Sequence, residues 1–259
     1  MLINPLYAIS GLLVGLLVGL TGVGGGSLMT PLLVLLFGVH PATAVGTDLL
    51  YAACTKSVGT AVHGAKHTVE WRVVGWLACG SLPASALTMY TLVRMGNFGT
   101  NAAHIISFVL GLSLLLTATS LIFRGAIRRW AAARTGSVSP RRTALLTILT
   151  GLVLGALVSI SSVGAGALGV TMLIMLYPRL PVSRIVGSDI AHAVPLTLLA
   201  GFGHWLIGGV NIAMFLSLIC GSIPGIIAGS LLASRLSDRW LTPILAAVLL
   251  LVGGRLLLI

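Results

Sequence analysis

This sequence predicts an all-α integral membrane fold of two inverted-topology repeats, each a broken, re-entrant helical hairpin followed by three transmembrane helices. Three observations carry that expectation. Of 259 residues, 57% are hydrophobic and only 7% are charged, with a mean hydropathy of +1.11, whereas soluble chains carry about a quarter charged residues. The apolar runs lack the period-two alternation of a membrane barrel. Two glycine-rich breaks, Thr21–Ser27 and Ser161–Ala167, interrupt apolar segments at matched places in the two halves.

Taken in order, the first apolar run, Leu6–Leu20, stops at Gly22-Val23-Gly24-Gly25-Gly26 and resumes as Ser27–Phe37. Each glycine costs a helix up to ~1 kcal/mol against alanine, so four in five positions end it. In lipid, a broken backbone is tolerated only where it is buried in protein or lines a cavity. Pro41–Val62, Trp71–Val93 and Ala102–Phe123 follow, each near the ~20 residues that cross hydrocarbon. The arginine-rich stretch Arg124–Arg142 then separates a first repeat, residues 1–124, from a second, residues 143–259, with 125–142 as linker. The second half reads Thr143–Ile160, the second break, Leu168–Tyr177, Val182–Trp205, Asn211–Ala233 and Leu241–Leu258. At 1.5 Å per residue, Ser27–Phe37 and Leu168–Tyr177 cover only about half of ~30 Å of hydrocarbon.

The halves match directly. At an offset of 141, Gly46-Thr47-Asp48 recurs as Gly187-Ser188-Asp189, and Cys79-Gly80-Ser81-Leu82-Pro83 as Cys220-Gly221-Ser222-Ile223-Pro224. His63 likewise matches His204. At an offset of 140, Val23-Gly24 and Gly26 match Val163-Gly164 and Gly166. Basic residues near short loops belong in the cytoplasm, and this decides the topology. If each broken segment is a re-entrant hairpin, Lys66, Arg72, the linker arginines, Arg179, Arg184, Arg235 and Arg239 fall inside, against Arg94 and Arg255 outside. If each broken segment crosses once, the repeats are parallel and Arg94, Arg179, Arg184, Arg235 and Arg239 are all outside. The inverted arrangement fits better, with the linker cytoplasmic and both termini outside. Inverted repeats with glycine-interrupted half-helices point to a secondary transporter whose site lies near the bilayer midplane.

Composition narrows the rest. The net charge of +11 sits at span ends and in the linker, so it reads as topogenic charge facing lipid head groups and not as a nucleic-acid surface. The N-terminus has no basic region of the kind that begins a cleaved signal peptide. Cys54, Cys79 and Cys220 show neither a metal spacing nor a disulfide framework, and no cofactor or metal is expected.

The residues Gly22-Val23-Gly24-Gly25-Gly26, then Pro31, Pro41 and Gly46-Thr47-Asp48, together with their second copy, resemble the sulfite exporter TauE/SafE family over essentially the whole chain. The resemblance implies a multi-pass transporter of the inner (plasma) membrane that moves a small sulfur-containing anion, sulfite or an organosulfonate. The second copy departs from the pattern: Ala165 stands where the first has Gly25 and Ala167 where it has Ser27, and no proline matches Pro31.

Candidate chemistry follows from the breaks. Backbone N–H groups at Gly24, Gly25, Gly26 and Ser27, and at Gly164, Ala165 and Gly166, open the second half-helix of each hairpin, where the positive dipole end favours an anion; close packing through small residues is the competing explanation. Thr47 and Ser188 are candidate hydroxyl donors to that anion, and Lys56, the lysine buried in a span, is a candidate counter-charge. Asp48 and Asp189 lie inside spans, where an unpaired carboxylate is expensive. Each is therefore expected to be protonated, hydrogen-bonded or paired, and they and His192 are candidates for proton coupling; capping of a backbone break is the rival role. His63 and His204 sit at helix ends. The cysteines are candidates for small apolar packing, or for contact with a sulfur substrate.

The expectation is thus a proton-coupled carrier, most simply an exporter, of a small sulfur-containing anion, and not an enzyme. A cation carrier using Asp48 and Asp189 is the alternative. An intramembrane aspartyl enzyme is weaker, because such a dyad needs two carboxylates close enough to share a proton.

Overall fold

The structure, a computed structural model, describes residues 4–21, 26–94, 100–133, 139–232 and 238–258. These form helices only: α1 Pro5–Thr21, α2 Gly26–Leu35, α3 Pro41–Ala65, α4 Trp71–Arg94 and α5 Thr100–Ala133, then α6 Pro140–Ser161, α7 Ala167–Leu176, α8 Val182–Leu206, α9 Ile212–Leu232 and α10 Asp238–Leu257. The start signals are local. Pro41 and Pro140 occupy the first helical position, where a missing N–H costs nothing. Ser139 caps α6 by accepting from the Arg142 N–H.

The short helices turn back. The Tyr7 ring, early in α1, meets Phe37, just past α2, at 4.9 Å between centroids. At the matched positions of the second repeat, Thr147 in α6 bonds the Tyr177 hydroxyl after α7 at 2.8 Å. Each hairpin is therefore closed at its open end, and the second bend, Ser161–Gly166, is buried. From Thr147 to Ser161 is about 21 Å of helix, roughly two-thirds of a bilayer.

Glycine contacts fix how the repeats pair. A side chain on Gly11 would strike the Leu218 backbone and one on Gly15 that of Ser222; at the matched positions, Gly151 lies against Leu77 and Gly155 against Ser81. Residue numbers rise together in both pairs, so α1 runs parallel to α9 and α6 to α4. Between α3 and α8 they run oppositely: Gly46 lies against His204 and Gly209, Gly201 against Leu50, Gly59 against Ile190 and Gly187 against His63. Symmetry mates that run antiparallel require a two-fold axis across the helices and not along them. That is inverted topology, and it excludes the parallel arrangement in which each broken segment crosses once.

Helices α4, α5, α6, α8 and α9 are by length and composition long and apolar enough to cross a membrane. The outward surface is apolar, with Phe108, Leu112, Leu116 and Phe123 exposed along α5 and Leu145, Leu149 and Leu152 along α6. Polar side chains are gathered inside instead, among them Asp48, Asp189, His192, His204, Ser81 and Ser222. Trp71 and Trp205 stand exposed at helix ends, as interfacial anchors do.

The structure differs from expectation at the linker and the thiols. Helix α5 continues to Ala133 instead of stopping near Phe123, because Ala and Arg are strong helix formers and no glycine or proline lies between Gly125 and Ala133. Ala131 packs into the cluster of Val73, Leu77, Leu173 and Ile185. Cys54, Cys79 and Cys220 are all exposed and so are not packed as small apolar residues in the interior.

Gly221→Val is expected to lower thermal stability in detergent by about 1–3 kcal/mol or more through overpacking, since its side chain would meet the backbone of Ala8 and Leu12. Gly75→Ala, where nothing lies within 4 Å, is expected to be neutral or to stabilise by up to ~1 kcal/mol. Fluorescence-detected melting of the two variants checks both.

Candidate functional site

The second bend shows why its residues are what they are. Helix α6 ends at Ser162 in the left-handed region (φ 60°), its N–H bonded to the Val158 carbonyl. Gly164 and Gly166 then take φ of +124° and +133°, conformations that only glycine adopts without strain. Ala165 and Ala167 are not at positive φ. The two glycines kept in both copies, Gly24/Gly164 and Gly26/Gly166, are therefore those whose second-repeat members need positive φ, and Gly25, whose match Ala165 does not, is the one replaced by alanine.

All of Ser161–Gly166 is buried, and three side chains that composition makes rare here meet its polar groups. The Ser162 hydroxyl donates to Asp48 Oδ2 at 2.9 Å, and Thr30 of α2 donates to the same oxygen at 2.5 Å. Lys56 Nζ donates to the Ala165 carbonyl at 3.0 Å. The Asp189 carboxylate faces the Gly166 backbone N–H. Asp189 Oδ1 also lies against Gly169, in the first turn of α7, where any side chain would collide with it. Thus Asp48 and Lys56 of α3 and Asp189 of α8 all hold the second bend, from two helices that cross.

The aspartates do not form a pair. On the antiparallel register of α3 and α8, Asp189 lies level with the turn around Ala61, about thirteen residues from Asp48, or ~20 Å along the axis. That separation is too large for a shared proton. Lys56 lies between them and, among the described residues, forms no ion pair with either; the ion pair described is Glu70–Arg184, which joins α8 to the start of α4.

The other predicted residues are placed as follows. His192 Nε2 bonds the Ser81 hydroxyl at 2.8 Å, while its Nδ1 is buried without a hydrogen-bond partner. The matched pair is Tyr51 with Ser222, at 2.6 Å. Thr47 Oγ1 accepts the Asn211 N–H at 3.1 Å, and Ser188 Oγ accepts the Glu70 N–H at 2.8 Å. These hydroxyls fasten the loops that enter α9 and α4, again at matched positions. His204 Nε2 meets the Ser159 carbonyl at 2.9 Å, and His63 Nδ1 the Thr68 hydroxyl at 2.8 Å. Gly24 and Gly25 lie outside the described residues; Gly26 and Ser27 open α2, and the Ser27 side chain is likewise not described.

Sequence reasoning missed Thr30, Tyr51, Ser81, Ser162 and Ser222. A signal existed for two of them. In Cys-Gly-Ser and its second copy, the glycines admit close helix contact and the serines bond Tyr51 and His192, while the thiols face out. The motif recurs for its glycine and serine, not for its cysteine.

Comparison with known proteins agrees with this architecture. The family model described as "Sulfite exporter TauE/SafE" matches residues 7–256. A Bacillus subtilis protein named "Probable membrane transporter protein YjnA" is 41% identical over 248 residues, covering 95% of this chain and 97% of that protein. A probable membrane transporter protein of Methanocaldococcus jannaschii is 26% identical, covering 100% of this chain and 97% of the relative. No solved structure matches significantly.

Gly166→Ala is expected to destabilise the protein by about 1–3 kcal/mol, the cost of a non-glycine residue at such φ. Ala165→Gly is expected to cost no more than ~1 kcal/mol. Thermal unfolding of the purified variants separates the two.

Proposed function

The chain belongs to the sulfite exporter TauE/SafE family, and on that footing we propose that it is a secondary carrier exporting sulfite or a related small sulfur-containing anion. The observation that carries this reading is the second bend, which brings the start of α7 into the buried interior beside Lys56. A helix start there presents backbone N–H groups and a positive dipole end, and Lys56 adds a positive charge. The anion site we infer is made by Gly24–Ser27 and Gly164–Gly166 with Lys56, while Thr47 and Ser188 hold the surrounding helices in register.

Inverted repeats supply the transport cycle in this reading. Two halves of one fold, related by an axis in the membrane plane, can exchange conformations and so open the same site to either face. Asp48, Asp189 and His192 are the titratable groups assigned to proton coupling. The surplus of Lys and Arg near the linker and the starts of α4 and α8 supports a cytoplasmic linker, outside termini and residence in an inner (plasma) membrane.

A second reading is a cation carrier, favoured by the three oxygens gathered at Asp48, Thr30 and Ser162. Sodium-dependent flux without anion selectivity would establish it instead.

In proteoliposomes, saturable uptake of radiolabelled sulfite is expected. Lys56→Ala should reduce it roughly tenfold or more, since a hydrogen bond to a charged group is worth about 1.5–3 kcal/mol, and Lys56→Arg should retain part of it. Absence of saturable flux for sulfite and for sulfonates would sink the assignment.

A further inference from the structure

Asp189 already does, within the chain, what the transported anion is proposed to do. Its carboxylate is 1% exposed, fills the space over Gly169 in the first turn of α7 and faces the Gly166 N–H immediately before that helix. Its Oδ1 has no hydrogen-bond partner. Asp48, at the matched position, is held differently, by the hydroxyls of Thr30 and Ser162. The two aspartates are therefore not equivalent: one is tied to side chains, and the other sits on a half-helix start.

The geometry points to Asp189 as a resident anion that occupies the start of α7 in the empty carrier and that the transported anion displaces, with one proton taken up by Asp189 for each anion bound. This rests on the anion-carrier reading above and adds the coupling step to it. Two anions cannot share one buried helix start, because like charges at contact distance in a low dielectric repel strongly. A proton from the facing aqueous side binds the Asp189 carboxylate and gives a neutral acid. The Gly166 N–H is then released to an oxygen of the incoming anion, so charge in the interior is unchanged. The charged and titratable groups around Asp189 are Lys56 on α3, which Ala165 holds, and His192 one turn along α8, which Ser81 holds. His63, at the end of α3, faces Gly187 and is bonded to Thr68. Helix α7 contributes only backbone and Gly169.

The test uses the whole carrier in detergent and methanesulfonate, whose sulfonate does not titrate near neutral pH. Calorimetry in buffers of different ionisation enthalpy counts protons. The wild type is expected to take up about one proton per anion at alkaline pH, with affinity falling by about tenfold per pH unit. Asp189→Asn is expected to bind with no proton uptake, with affinity flat in pH and roughly tenfold tighter at the alkaline end. Wild-type binding without proton uptake overturns the inference even if the variant does not fold, as does an Asp189→Asn protein that keeps the uptake. If the wild type binds neither methanesulfonate nor sulfite, the anion-carrier reading falls as well, which is a different result from binding without protons.

Discussion

In hydrocarbon, no backbone N–H or C=O can be left to water, and a chain that breaks a helix deep in the bilayer must partner the groups it frees. The second bend meets that requirement with the scarcest residues the protein has. Asp48 takes the Ser162 hydroxyl and Lys56 the Ala165 carbonyl, while Asp189 faces the Gly166 N–H. Only four acids occur in the whole sequence, and two of them are used here. A buried charge is expensive unless its partners are good, so the broken helix and the three charged side chains explain one another.

The same bonds give the site a way to work. A carbonyl held by a lysine and an N–H faced by a carboxylate are reversible contacts, and both face the place where an anion is proposed to sit. Around them the pseudo-two-fold supplies rigidity. Gly11, Gly15, Gly80 and Gly46, with their mates, let backbones touch, while Tyr51–Ser222 and His192–Ser81 pin α3 and α8 to α9 and α4. Small residues and interhelical hydrogen bonds are what hold helices together where the surrounding lipid is as apolar as leucine.

Departures from symmetry carry the functional content. Lys56 stands where the second repeat has Thr197, whose hydroxyl folds back to the Ala193 and Val194 carbonyls of its own helix. The Glu70–Arg184 ion pair has Thr43 and Asn211 at its matched positions, where no such pair can form. A symmetric carrier would show its two faces alike; one lysine and one ion pair make these faces chemically different.

Helices, hairpins and inverted order could all be read from the sequence, because each follows from a local or additive property: apolar length, glycine content, the sign of loop charges and the repeat at offsets of 140 and 141. The rare polar residues Asp48, Lys56, Asp189 and His192 could be singled out for the same reason, since an ionisable group in an apolar span needs no neighbours to be conspicuous. What each of them touches could not. Lys56 to Ala165, Asp48 to Ser162 and Asp189 to Gly166 join residues tens to more than a hundred positions apart, and only the crossing register of α3 and α8 with the hairpin between them selects those partners. Thr47 and Ser188, predicted as donors to a ligand, accept backbone N–H groups of loops, because that register sets them beside Asn211 and Glu70. The sequence by itself thus determined that a membrane-embedded break exists and which groups are rare enough to serve it; the tertiary structure alone decided which group serves which, since in a bilayer every freed backbone atom takes whatever partner the helix crossing brings within reach.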